Sequence, residues 1–197
     1  LTYHITKNFG LKESQVIGSG TMLDSARLRS ILAAHVDLNP NNVHGYVFGE
    51  HGDSSMVPWS LTNIGGMTMD DYCQHACLEA ERCGKKQLEN IMDDVRTSGA
   101  KVIKFKGATY YAVTLAVRRM VECIVQDANS VLTVSSMING RYGIDDVCLS
   151  LPFVIGARGI EREITPPLTE EELKQLQASA TALKSVIASL DFGTKKA

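Results

Sequence analysis

The chain has no long apolar run, no excess of either charge and few cysteines, and each of these absences excludes a class of protein. No stretch of its 197 residues approaches the roughly 20 apolar residues that a membrane-spanning helix needs. No basic segment leads into an apolar core, so we expect no secretory signal and a cytoplasmic location. The 20 Lys+Arg and 22 Asp+Glu nearly cancel. Because phosphate contacts need clustered basic residues, we expect neither a nucleic-acid nor a membrane partner.

Cysteine is too sparse for a disulfide framework. The five cysteines form an odd number, whereas secreted disulfide-rich domains usually carry a denser, even set. The sequence therefore predicts free thiols in a reducing compartment. Cys73, Cys77 and Cys83 lie near His75, but their spacing suits neither a zinc finger nor a zinc ribbon. We expect no metal site.

What the sequence does contain is typical of a globular α+β chain. Apolar residues make up 44% and charged residues 21%, close to ordinary values for a globular domain. The spacing of apolar residues predicts helices over 1–9, 21–38, 68–97 and 169–190. Alternating patterns predict strands, mostly in antiparallel hairpins, over 43–48, 131–138, 147–155 and 160–164. The regular strand–helix alternation of a dinucleotide-binding fold is absent from this pattern.

The pattern between 102 and 126 makes two further predictions. Val102–Phe105 is a candidate for a short strand, and Ala108–Gln126 is a helix that is apolar nearly all round and should therefore be buried. Thr109 stands at the junction of the two. It either caps the second element or contributes to function.

The first candidate site residues are Asp24 and Arg27. Three residues apart in a predicted helix, they share a face, and the guanidinium of Arg27 can hold a carboxylate with two hydrogen bonds. The simpler interpretation is that Asp24 is the acid of a helix-capping box, or that the pair is an ordinary solvated ion pair of small energetic effect.

His51 is the second candidate. It lies between Gly49 and Gly52 at the end of a predicted strand, where glycines favour a loop that presents a side chain. A histidine in such a loop can titrate near neutral pH, although an isolated loop histidine more often has no role. We expect Asp53 only to form a turn with its own backbone.

Two other patterns point to different chemistry. Gly18-Ser19-Gly20 resembles the start of a phosphate-binding loop, but the third glycine of that motif is replaced by Leu23. A hydrolase triad of Ser54, His51 and Asp24 is arithmetically possible but lacks the strand–turn–helix sequence of a nucleophile elbow. We prefer neither interpretation.

Three motifs taken together resemble the L-lactate dehydrogenase family. They are GTMLDSAR at 20–27, GEHGDS at 49–54 and KGAT at 106–109, in the family's order and with fitting separations. The resemblance implies the α+β C-terminal domain of lactate/malate dehydrogenases, with antiparallel hairpins packed against long helices. Residues 18–197 would be the substrate-binding catalytic domain. Residues 1–17 would end a Rossmann dinucleotide-binding domain that this sequence does not contain.

The same resemblance implies roles for single residues. His51 would be the proton donor, Asp24 its orienting partner and Arg27 the anchor of the substrate carboxylate. Thr109 would line the substrate pocket, and Val113 would lie near the nicotinamide ring. Such an enzyme uses NAD, bound mainly by the absent domain, because no side chain can donate a hydride.

The resemblance also implies partners. The substrate would be a small 2-keto or 2-hydroxy acid, pyruvate and L-lactate first, with malate and 2-hydroxyisocaproate as alternatives. Arg29 and His44 occupy positions that bind fructose 1,6-bisphosphate at a subunit interface in regulated bacterial members, and the family suggests a homotetramer. The competing interpretation is a self-associating fragment that folds but catalyses nothing, since half of the family's active site would be absent.

Overall fold

The computed structural model describes residues 1–78 and 80–190. Within these ranges the helices are α1 (Thr2–Asn8), α2 (Met22–His35), α3 (Met69–His75), α4 (Lys85–Lys106), α5 (Tyr111–Val125) and α6 (Glu170–Ser189). The strands are β1 (Val43–His44), β2 (Asn63–Ile64), β3 (Met67–Thr68), β4 (Ser130–Arg141), β5 (Ile144–Gly156) and β6 (Gly159–Glu163). Among the described residues, no helix combines the length and the apolar character needed to cross a membrane.

The larger sheet is an antiparallel meander in the order β4-β5-β6. It confirms the predicted hairpins, including the tight turn between Gly156 and Gly159. Alternate residues of β4 and β5 enter an apolar core that α5 and α6 close. The predicted capping box at the start of α6 is also confirmed, with reciprocal bonds between Thr169 and Glu172.

A second core lies under the small antiparallel sheet β1-β2-β3 and is enclosed by α2, α3 and α4. Of the predicted strand at 43–48, only β1 is a strand. Phe48 instead forms a single antiparallel bridge with Met56. Helix α2 belongs to both cores, because Met22 packs into the first and Leu28 into the second. The start of α2 is therefore fixed where the two cores meet.

The predictions for the region 102–126 need correction. Residues 102–105 are the last turns of α4, which ends at Gly107 with φ +79, so no strand forms there. Helix α5 exists but is not buried: Leu115 is 62% exposed, and Val125 is 77% exposed. Only one stripe of α5, with Ala116 and Met120, faces the core. The spacing of apolar residues does not distinguish a buried helix from a helix whose apolar face is exposed.

The prediction of free thiols is wrong for two of the five cysteines. Cys73 on α3 and Cys83 are joined in a disulfide, with their Cα atoms 5.5 Å apart. The 3-10 turn Ala80–Cys83 returns the chain to α3, and Arg82 of this turn donates to the backbone carbonyl of His35 at the end of α2. A count of cysteines gives no information on which pairs the fold brings together. Cys123 and Cys148 are buried thiols.

Candidate active site

The candidate site is built on the first turns of α2. The Asp24 residue is only 5% exposed, and its Oδ1 accepts a hydrogen bond from Arg27 Nη1 at 3.1 Å. Side chains three residues apart lie on one helix face, so the predicted pair forms. The capping-box interpretation of Asp24 is wrong, because the backbone N–H of Thr21 that it would bind is donated to Ser150 Oγ at 3.2 Å.

His51 reaches this pair from a loop held at its base by strand-like hydrogen bonds. Phe48 exchanges backbone hydrogen bonds with Met56, and Gly49 does the same with Ser150 of β5. Gly49 has φ +93, a backbone conformation that favours glycine. The loop places His51 Nδ1 2.5 Å from Asp24 Oδ2. One carboxylate therefore contacts both the imidazole and the guanidinium.

Two buried hydroxyls fix the distance between α2 and the segment that leads to His51. Thr21 Oγ1 donates to the carbonyl of Val47 at 2.5 Å, and Ser25 Oγ accepts from the N–H of the same residue at 2.9 Å. Ser25 Oγ also lies 2.9 Å from Thr133 Oγ1 of β4. Buried hydroxyls bonded in this way make the position of the loop on α2 specific.

Ser25 has a role in the site that its place in the sequence could have indicated. It lies on the apolar stripe of α2 with Leu28 and Leu32, and a small polar residue on a buried stripe implies a buried hydrogen-bond partner. The same signal holds for Ser179, which stands on α6 between Leu176 and Ala180 and is fully buried.

The electrostatics of the site favour a protonated imidazole. The hydrogen bond to Asp24 raises the pKa of His51, while burial and the cationic Arg27 oppose this shift. The buried carboxylate is compensated by contact with Arg27 on one oxygen and with the imidazole on the other. His51 can therefore carry and release a proton near neutral pH.

Both cationic side chains retain groups for a ligand. His51 uses Nδ1 for Asp24, and its side chain is 62% exposed, so Nε2 at the other end of the ring is open. Arg27 gives Asp24 one of the five N–H groups of its guanidinium, and its side chain, 16% exposed, does not line the cavity beside His51. His51 borders a cavity of about 550 Å³ that is also lined by α1 and by the last turns of α6, including Leu183 and Ile187.

The other residues singled out in the sequence lie elsewhere. Thr109 is exposed in the link between α4 and α5, and Tyr110, not Thr109, is the N-cap of α5, so the capping interpretation is wrong. Val113 lies on the open apolar face of α5. Neither lines the cavity beside His51. Arg29 and His44 do come together, in a separate cavity of about 480 Å³.

Ser54 does not act as the nucleophile of a triad with His51. Its hydroxyl donates to the carboxylate of Glu50 and lies 3.1 Å from Ser179 Oγ. In the part of the chain that the structure describes, no group of three or more His, Cys, Asp and Glu side chains is arranged to hold a metal ion.

The contact between Asp24 and His51 predicts a pH effect. Because this hydrogen bond is the main cause that raises the pKa of His51, an Asp24→Asn variant should lower that pKa toward its ordinary value of 6.5. A raised histidine pKa stabilises the folded state fully below the unfolded value, and the stabilisation is lost as pH rises through the folded value. Nitrogen-15 NMR titration of the imidazole gives the pKa directly, and urea unfolding at several pH values gives the linked stability.

Asp53→Asn is the matched control for this experiment. Asp53 is exposed in the same loop, so its replacement removes one nearby negative charge without touching the ring. We expect the wild type and Asp53→Asn to share one His51 titration midpoint, and Asp24→Asn to fall below both. Equal midpoints in all three would show that Asp24 does not hold the proton on His51.

Comparison with known proteins gives the family. Residues 21–191 match the model of the lactate/malate dehydrogenase α/β C-terminal domain. The chain belongs to the lactate/malate dehydrogenase family. It is 47% identical over 193 residues to the L-lactate dehydrogenase of Acetivibrio thermocellus, covering 98% of this chain and 60% of that protein. It is 49% identical over 192 residues to that of Thermoanaerobacter pseudethanolicus, covering 98% and 61%.

Solved structures of lactate dehydrogenases share the fold of this family member. An L-lactate dehydrogenase from Clostridium thermocellum superposes with a TM-score of 0.85 at 40% identity, covering 96% of this chain and 61% of that one. A lactate dehydrogenase from a Medee basin deep-sea metagenome library gives a TM-score of 0.89 at 36% identity, covering 95% and 59%. The chain thus spans about 60% of the length of its curated relatives. Enzymes of the family are oxidoreductases, and lactate dehydrogenases in general use NAD.

Proposed function

We propose that this chain carries the catalytic residues of an NAD-dependent L-lactate dehydrogenase, which interconverts pyruvate and L-lactate. The observation that supports this most is the carboxylate of Asp24, in contact with His51 on one oxygen and with Arg27 on the other. A proton donor and an anion-binding group are thereby held beside each other. That is the combination which reduction of a 2-keto acid requires.

Each side chain has one task in this proposal. Arg27 binds the substrate carboxylate and orients the carbonyl group. His51, protonated at Nε2, stabilises the negative charge that develops on the carbonyl oxygen and then gives it the proton. Asp24 orients the imidazole and favours its charged form. In the reverse direction His51 accepts the hydroxyl proton of lactate.

Part of the cofactor fits the surface of this chain. NADH, when bound, supplies the hydride that no side chain can provide. Val113, Val117 and Val121 form an open apolar strip on α5, bordering a cavity of about 600 Å³, against which a flat ring can pack. We propose that Val113 contacts the nicotinamide ring and that Thr109, exposed nearby in sequence, lines the substrate pocket. Phosphate and ribose binding is assigned to the segment that relatives carry before the matched region.

We propose the domain boundary of the sequence analysis, with residues 1–17 ending a dinucleotide-binding domain and 18–197 forming the catalytic domain. The family model, which starts at residue 21, is consistent with this boundary. We also propose a homo-oligomeric enzyme of the cytoplasm, as the resemblance to the family suggests.

We also propose a regulatory site for fructose 1,6-bisphosphate. Arg29 and His44 line one cavity together with Arg119, so three basic groups face the space that a bisphosphate could enter. Addition of the sugar bisphosphate to the complete enzyme should then lower the KM for pyruvate. An unchanged KM would exclude this regulation.

The activity is tested by NADH oxidation in the presence of pyruvate. We expect turnover from the complete enzyme, meaning this chain preceded by the amino-terminal segment of its relatives, and little or none from the 197-residue chain alone, which contains no dinucleotide-binding motif in its sequence. Oxaloacetate and 2-ketoisocaproate in place of pyruvate distinguish the alternative substrates. A complete enzyme that folds but oxidises NADH with none of the three would contradict the proposal and favour a protein that folds but does not catalyse this reaction.

A further inference from the structure

Behind the His51 loop lies a polar cluster that the mechanism does not use. It consists of Ser179 on α6 together with Glu50 and Ser54 of the loop. Ser179 is fully buried, and its Oγ accepts a hydrogen bond from the backbone N–H of Glu50 at 2.8 Å. The same oxygen lies 3.1 Å from Ser54 Oγ. Ser179 thus contacts the residue next to His51 in the chain.

The direction of the hydrogen bonds follows from the number of protons. Each serine hydroxyl has one hydrogen to give. Ser54 gives its own to the carboxylate of Glu50. The Ser179 hydroxyl must therefore donate to Ser54, so that a chain of hydrogen bonds runs from α6 through Ser54 to Glu50. This chain connects both ends of the loop segment 50–54, with His51 between them.

The contact between α6 and the loop is also unusually close. A Cβ built on Gly49 would lie 2.6 Å from Ser179 Oγ, which is closer than Cβ atoms approach other heavy atoms in proteins. The backbone at Gly49 therefore lies directly on the Ser179 side chain. Further along α6, Leu183 and Ile187 line the cavity that His51 borders. One helix thus forms a wall of the site and supports the loop that carries its histidine.

We infer that Ser179 is a positioning residue that keeps the imidazole of His51 on Asp24 by tying the loop 49–54 to α6. The inference rests on the proposed function only for its effect on turnover. The effect of Ser179 on the position and pKa of the His51 imidazole depends on this chain alone. Without the Ser179 hydroxyl, the Glu50 N–H loses its buried acceptor and Ser54 loses its donor, so the loop relaxes away from α6.

Ser179→Ala is the decisive variant, with Ser185→Ala as its control. Ser185 is exposed on the same helix and donates to the carbonyl of Thr181, remote from the loop. In the 197-residue chain, we expect nitrogen-15 NMR titration to show a lower His51 pKa in Ser179→Ala and no change in Ser185→Ala. In the complete enzyme, kcat should fall roughly tenfold while KM for pyruvate changes less than twofold, because the variant loses the two hydrogen bonds that hold the His51 loop on α6 and keeps Arg27, which binds the substrate.

The other outcomes of the titration and of the activity assay also test the inference. An unchanged His51 pKa in a folded Ser179→Ala chain would overturn the inference, even if thermal stability falls. A purely structural role of Ser179 would lower the stability of the chain without changing the pKa of the imidazole. If Ser179→Ala does not fold, Ser54→Ala breaks the same hydrogen-bond chain at a half-buried position and must lower the pKa of His51 for the inference to stand. A complete enzyme without dehydrogenase activity would contradict the proposed function. The titration would still decide the role of Ser179.

Discussion

Replacing His51 with glutamine in the complete enzyme is expected to lower kcat for pyruvate reduction by about 10²–10⁴-fold, the usual contribution of a positioned general acid. Glutamine can still hydrogen-bond to Asp24 and to a carbonyl oxygen, but it has no proton to give at neutral pH. The pH profile should change as well. With wild-type enzyme, kcat/KM for reduction falls as pH rises through the raised pKa of His51, whereas the residual activity of the variant has no such dependence.

His75→Gln is the matched control, because His75 is an exposed histidine at the end of α3. Its variant should retain wild-type kcat and the wild-type pH profile. Steady-state kinetics of reduction across a range of pH values measures both quantities. If His51→Gln kept its kcat, the chain would bind a 2-keto acid without protonating it, and another group would have to be found for that step.

Residues close in sequence were predictable in this site, and distant partners were not. Helical spacing was enough to place Asp24 beside Arg27, three residues later. The contact of Asp24 with His51 spans 27 residues, and only the resemblance of the motifs to a known family suggested it. The hydroxyl of Ser179 acts on the backbone of Glu50 across 129 residues. No local pattern encodes such a pairing, because it depends on how α6 packs against the sheet.

The fold shows the same limit at the region from α4 to α5. Val102, Ile103 and Phe105 have the composition of a strand, yet they end a helix and Phe105 is 83% exposed. The valines of α5 have the composition of a core helix, yet Val117 and Val121 are about half exposed. Apolar composition indicates that a surface is unfavourable in water. It does not indicate whether residues of this chain or another surface cover that surface. Both errors concern one continuous region, from the end of α4 through α5, whose apolar side chains are exposed in the structure.

Replacing Arg27 with lysine in the complete enzyme is expected to lower kcat/KM for pyruvate by about 10- to 100-fold, with an increase in KM. Lysine keeps the positive charge but cannot give two parallel N–H groups to a carboxylate, so the variant loses one charge-assisted hydrogen bond of about 1.5–3 kcal/mol. The guanidinium lies near α4, since a Cβ on Gly99 would be 3.9 Å from Arg27 Nη1. Steady-state kinetics measures the loss.

The pH profile then separates the two tasks of Arg27. The cation of Arg27 lowers the pKa of His51, and lysine preserves that charge, so the profile of Arg27→Lys should match that of the wild type while its KM rises. Arg162→Lys, on exposed surface of β6, should change neither quantity. A shifted pH profile with an unchanged KM would mean that Arg27 serves only to hold Asp24. The substrate carboxylate would then need a different anchor.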